Sequence, residues 1–300
     1  MKRIFVFLCA LFFVPTILSA TEINEVEHAK VVTLDATPTD PGQVEEDLTY
    51  SILGGKFAWQ HNGGRQNRGT YLTQNWDTET YVGLFKNIDV IISQGFQHIL
   101  DKENNVNEFK GMSDPDTGEE VADTTMGPSH GFGLSDLGIT GRWRFFNAPE
   151  KKMEISFTST VYVPTGRRSN LDHIGPSQGF TSLDNSVILT KDIRRWSGTL
   201  NTGFNAPLAT MDRTNNYCGT LHMNAAAGYQ VFNWLQPEVE VIYSHDFGKH
   251  GEHANLASIV VGCLFFVNDH FRFDTGIQQG LFGSATNQTT AGIFRVALTT

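Results

Sequence analysis

The stretch HDFGKHGEH, His245 to His253, gathers three histidines with Asp246 and Glu252. Imidazole and carboxylate are donors that zinc and copper take. Their spacing follows no metal-binding motif, and a solvated loop at the cell surface is the simpler reading. Ser244 beside His245 is the one pair that looks like a nucleophile next to a base. In an extended strand neighbouring side chains face opposite ways, so the two share no hydrogen bond there. The acidic run MSDPDTGEEVADTT, inside the stretch 101–131, lacks the ligand spacing of an EF-hand. Gly63-Gly64 and Gly131 to Gly133 match no phosphate-binding pattern and read as loop punctuation. No cofactor, no metal and no catalytic group is therefore expected. What remains is a set of charges at regular places: Arg142, Arg144, Glu154, Glu238, Glu240, Arg272, Asp274 and Arg295. What they do depends on the elements that carry them.

Those elements are strands. From Met153 to Val163 the odd positions are Met, Ile, Phe, Ser, Val and Val, and the even ones Glu, Ser, Thr, Thr and Tyr. Alternation at period two marks a β-strand with one apolar and one polar face. The same pattern sets Leu137, Ile139, Trp143 and Phe145 against Arg142 and Arg144. It sets Val239 and Val241 against Glu238 and Glu240, Phe271 and Phe273 against Arg272 and Asp274, and Phe294 and Val296 against Arg295. All eight charges share the polar face. A dry core on that side would bury unpaired charge at high cost, so the polar face should line a wet lumen and the apolar face should meet lipid.

The connections alternate too. Tight ones near Lys86, Asn147 to Lys151, Arg194, Asn233 to Gln236 and Asn268 to His270 take turns with long ones rich in Gly, Asp, Asn and Ser. Outer-membrane barrels have short turns on the periplasmic side and long loops outside. Phe145, Phe146, Trp196, Phe232, Trp234, Phe265, Phe266 and Phe271 crowd the short turns, where an interfacial girdle belongs. About twelve strands follow from Leu48 onward, an even number that returns both ends of the barrel to the periplasm.

The N-terminus, MKRIFVFLCALFFVPTILSA, has a basic start, a short apolar run and a small-residue cleavage site before Thr21. It reads as a secretory signal peptide over residues 1–20. Loss of Lys2 and Arg3 with it takes the formal net charge from −10 to −12, which disfavours nucleic acid as a partner. The two remaining cysteines, Cys218 and Cys263, form no disulfide framework. Residues 21–46 read as a periplasmic tail and residues 47–300 as the barrel.

Three motifs carry a family resemblance: GLSDLGITGRWRF at Gly133 to Phe145, VYVPTGRRS at Val161 to Ser169, and TDPGQVEEDLTYSI at Thr39 to Ile52. They resemble the outer-membrane transporter family of the meta-pathway of phenol degradation, over roughly Thr39 to Thr300. The resemblance implies an all-β antiparallel transmembrane barrel that passes small, hydrophobic or aromatic compounds. The C-terminal FRVALTT lacks the terminal aromatic residue that many outer-membrane barrels use as an assembly signal. The expected location is the outer membrane, and the expected partners are its lipid, a small-molecule solute and the barrel-assembly machinery. The competing readings are a non-conducting structural or surface-interaction barrel, a lipid-modifying barrel enzyme and a secreted β-sandwich.

Overall fold

A computed structural model of the chain describes residues 30–103, 129–168, 174–209, 217–248 and 253–300. The expected leader at 1–20, most of the 101–131 loop, and His250 and Glu252 lie outside the described residues.

The described chain is almost entirely strand. Its segments are β1 (Val44–Trp59), β2 (Arg65–Phe85), β3 (Ile88–Glu103), β4 (Ser129–Leu134), β5 (Leu137–Ala148), β6 (Met153–Val163) and β7 (Thr181–Ile193). They continue with β8 (Trp196–Ala209), β9 (Tyr217–Tyr229), β10 (Leu235–Gly248), β11 (His253–Asn268), β12 (Phe271–Ser284) and β13 (Thr286–Thr299). Each pairs antiparallel with its neighbours, and β1 pairs with β13 from Glu45↔Thr299 to Trp59↔Thr286. The sheet thus closes on itself and leaves no long free edge.

β4 and β5 are two pieces of one barrel strand, because both pair with β3. The break falls at Ser135-Asp136. There the Ser135 N–H donates to the Gly95 carbonyl at 2.8 Å, and the Ser135 hydroxyl accepts the Gly95 N–H at 2.7 Å. The count is therefore twelve strands around the barrel.

Facing follows the sequence period. On β6, Phe157 and Val161 are each 36% exposed, whereas Ser156, Thr158 and Thr160 are buried at 8% or less. A soluble protein would show the reverse. Ile139, Trp143, Val187, Leu200, Val239, Val241, Ile277 and Phe294 continue this exposed apolar surface around the outside. Only lipid makes such a surface favourable, and a closed barrel satisfies every backbone group within it. At the short-turn end the outward aromatics meet in pairs: Trp196 with Tyr229 at 4.8 Å, Phe232 stacked on Trp234 at 5.4 Å, and Phe265 with Phe273 at 6.0 Å between ring centroids. A bulge between Arg144 and Phe146 turns both Phe145 and Phe146 outward.

Two boundaries differ from the sequence reading. The barrel starts at Val44 rather than residue 47, and residues 30–40 of the expected tail run inside the barrel. β11 also breaks the strict rule of polar inside. Its run Ile259 to Val267 is apolar on both faces, and Val260 and Leu264 point inward, fully buried.

Candidate functional site

The segment 30–40 carries no strand signal. It is short, it contains Pro38, and among its described backbone bonds only the Asp40 carbonyl pairs with another backbone group, the Gln43 N–H at 3.0 Å. Its amides bond instead to side chains of the barrel wall. The N–H of Val31 donates to Glu238 Oε1 at 2.7 Å and that of Val32 to Glu240 Oε1 at 2.7 Å. The Thr33 N–H reaches Glu240 Oε2 at 2.8 Å, and the Thr33 hydroxyl donates to the same oxygen. Further along, the Ala36 N–H donates to Thr190 Oγ1 at 3.0 Å and the Thr39 N–H to Asp89 Oδ2 at 2.9 Å.

The segment's carbonyls are taken by cations and hydroxyls. Arg295 donates from Nη1 to the Lys30 carbonyl at 3.0 Å and from Nη2 to that of Val31. Arg142 Nη1 donates to the Asp35 carbonyl at 3.2 Å, and the Ser156 hydroxyl donates to that of Ala36. The Thr37 hydroxyl donates to Glu154 Oε2 at 2.9 Å. Partners thus come from β3, β5, β6, β7, β10 and β13, on opposite sides of the lumen. Bonds to ionised groups contribute about 1.5–3 kcal/mol each, and a buried amide that loses its partner costs about 1–3 kcal/mol. That balance fastens a segment that has no strand ladder of its own.

Apolar contact adds to the grip. Val31 is 1% exposed and packs with Val260, Leu264 and Ile293, with Ile242 and Phe266 against the cluster. The wall makes room with glycines. A Cβ on Gly262 would stand 2.8 Å from Val31 Cγ2, and one on Gly276 would stand 3.1 Å from Val31 Cγ1. Where the segment leaves for β1, a Cβ on Gly83 would lie 1.9 Å from the Asp40 carbonyl oxygen. Gly42 N–H instead donates to the Gly83 carbonyl at 2.9 Å.

All eight charges singled out in the sequence stand on inward positions in the short-turn half. Glu238 and Glu240 hold the segment's amides, and Glu238 also faces Lys30 Nζ at 3.7 Å. Arg142 pairs with Asp89, a bond made through both Nε and Nη2. Arg144 Nη1 bonds Glu154 Oε1 at 2.9 Å, so this pair reaches the segment through Thr37. Arg272 bonds Asp274 Oδ2 at 3.1 Å, and Arg295 lies 3.4 Å from Asp47 Oδ2. The structure therefore brings the eight together around one chain segment: Arg142, Glu154, Glu238, Glu240 and Arg295 bond to it, and Arg144, Arg272 and Asp274 pair with charges of the wall.

Sequence reasoning missed Asp89 and Asp47, both at 1% exposure or less. Asp89 had a signal, a lone acid in the apolar alternation IDVII at Ile88 to Ile92. The run on β11 was a second signal, since a strand apolar on both faces needs something apolar inside the barrel.

Along the segment and on toward the long loops lies a cavity of about 750 Å³. Val32, Thr33, Asp35 and Thr37 of the segment line it, with Tyr162, Asp184, Asn201 and His222 of the barrel wall. Ser244 and His245 are consecutive on β10, and His245 packs against Phe247 and His253 on the other face, so they form no nucleophile and base. Among the described residues no group of three or more His, Cys, Asp or Glu side chains is placed to hold a metal ion.

The family described as “Putative MetA-pathway of phenol degradation” matches residues 35–296. No curated protein sequence matches the chain. Among solved structures, the COG4313 outer membrane channel from Pseudomonas putida F1 superposes with a TM-score of 0.72 at 11% identity, covering 90% of this chain and all of that one. The β domain of the Bordetella autotransporter BrkA superposes with a TM-score of 0.50 at 8% identity, covering 86% of this chain and 99% of that one. At such identities the likeness is one of fold.

Proposed function

The chain belongs to the family of the MetA-pathway of phenol degradation, and from that membership we propose that it is an outer-membrane channel for small organic compounds, aromatic ones included. Its short turns and its N-terminal segment face the periplasm, its long loops face outward, and the barrel-assembly machinery inserts it. The observation that carries this reading is the manner in which the lumen is closed. The segment 30–40 is held by side chains and is no part of the barrel wall. It can therefore leave without breaking a strand ladder, and the cavity along it would then continue to the other side. A wall made of charge pairs and hydroxyls suits passage better than chemistry, which needs an aligned nucleophile and base.

The test is planar-bilayer conductance of the mature chain beside a variant in which residues 30–40 are replaced by a Gly/Ser linker of equal length. The expected result is brief openings for the native chain and longer or larger ones for the variant. Silence from both folded proteins would overturn the channel and favour a barrel whose loops or surface do the work.

A further inference from the structure

In the long-loop half of the lumen, Asp184 on β7 and His222 on β9 meet across the intervening β8, with Oδ2 2.9 Å from Nε2. They do so over Gly203. A Cβ at that position would stand 2.1 Å from Ser186 Oγ and 2.6 Å from His222 Nε2. The Ser186 hydroxyl donates to Asp184 Oδ1 at 2.8 Å and lies 3.4 Å from the same Nε2. A catalytic relay needs one imidazole nitrogen for serine and the other for aspartate. Here a single nitrogen meets both, so the cluster orients a carboxylate rather than activating a hydroxyl.

Nearby on β8, Asn201 lines the same cavity at 7% exposure, and among the described residues its side-chain carbonyl has no hydrogen-bond partner. Asn224 sits opposite it in register on β9, and its Oδ1 is likewise without a partner. Glu79 from β2 lines the cavity and, among the described residues, accepts only the Tyr81 hydroxyl, at 2.6 Å. Among the described residues, no lysine or arginine pairs with Asp184 or Glu79; the cavity's fixed cations, Lys30, Arg142, Arg272 and Arg295, are committed to Glu238, Asp89, Asp274, Asp47 and the segment's carbonyls. The wall thus offers hydrogen-bond acceptors and negative charge, with buried acceptors still unmet.

We propose that this part of the lumen is a binding site for the protonated amino group of a small organic amine, which Asp184, Asn201 and Glu79 receive. The proposal rests on the channel reading and narrows its solute. An ammonium group brings three donors and one positive charge to a stretch of wall, around Asp184 and Asn201, whose partnerless groups are acceptors. The cavity, about 750 Å³, also has room for a ring attached to it.

The probes are benzylamine, benzyl alcohol and benzoate, alike in size and differing in charge. Binding to the full mature chain in detergent is followed by calorimetry, with folding checked by heat-modifiable gel mobility. Benzylamine should bind about tenfold or more tighter than benzyl alcohol, with benzoate weakest, as charge-assisted bonds require. Asp184→Asn and Asn201→Leu should each weaken benzylamine about fivefold or more, and Gly203→Ala, which displaces Ser186 and His222, should do the same. Glu150→Gln, in an exposed short turn, should leave binding unchanged. Equal binding of the three probes, a preference for benzoate, or amine binding indifferent to both Asp184→Asn and Asn201→Leu would overturn the site. Because binding is read without conduction, a conducting chain with no amine preference sinks the site alone, and an amine-binding chain that never conducts sinks the channel alone.

Discussion

Replacing Glu240 by glutamine is the sharpest test of how the segment is held. Glu240 is fully buried, and its carboxylate receives the Val32 N–H on Oε1 and both the Thr33 N–H and hydroxyl on Oε2. An amide keeps one acceptor oxygen, which still serves Val32. Its NH₂ group, however, then faces the donors of Thr33. The hydroxyl can turn to accept, but the Thr33 N–H cannot. One charge-assisted bond is lost and one buried amide is left unpaired, a change of about 2–4 kcal/mol in favour of the released segment. At about 1.4 kcal/mol per factor of ten, the released population rises about 30- to 1,000-fold. Single-channel open probability in a planar bilayer reads this directly. Thr33→Val should raise it as well, and the double variant should add less than the two separately, since the hydroxyl that Thr33→Val removes bonds to Glu240 itself. A folded Glu240→Gln barrel with native open probability, or strict additivity with Thr33→Val, would refute the reasoning.

Two other outcomes follow from facing and from burial. Phe157→Arg, on the lipid side at mid-strand, should weaken folding into liposomes by about 2–4 kcal/mol, whereas Thr158→Arg, pointing into the cavity, should cost much less and reduce current instead; equal effects in a denaturant titration would contradict the facing. Arg142→Met leaves buried Asp89 without its cation and should lower unfolding stability by about 3–5 kcal/mol, and adding Asp89→Leu should restore part of it. No recovery in the double variant would mean that the pair is not the reason for the loss.

Much of the barrel was legible because a strand's facing is local. The eleven residues of β6 alternate without exception in polarity at even positions, and the structure keeps that facing. The eight charges could be assigned inward for the same reason. Their partners could not, since pairing across a lumen depends on register and closure. Glu238 and Val31 are 207 positions apart. The segment 30–40 looked like tail because its bonds run from backbone to distant side chains, which leaves no periodicity to read. Gly203 is similar: a glycine in a strand signals a close approach, but only the fold says that His222 and Ser186 meet there. Of the histidine-rich loop, His245 and His253 stack at 5.5 Å beside Phe247 as part of an outward aromatic group.

The lumen segment also has a place in time. It is the earliest described part of the chain to be made, yet the groups that seat it arrive at very different moments. Asp89 follows 50 residues after Thr39, while Arg295 follows 265 residues after Lys30. Until the final hairpin has been synthesised and sewn to β1, the carbonyls of Lys30 and Val31 have no guanidinium and Val31 lacks Ile293. The first stretch out is thus the last to be stowed, and a barrel that stalls one hairpin short keeps it dangling. Stowage works as a receipt of completion: residues 30–40 would be open to a protease on unfinished barrels and shielded on finished ones.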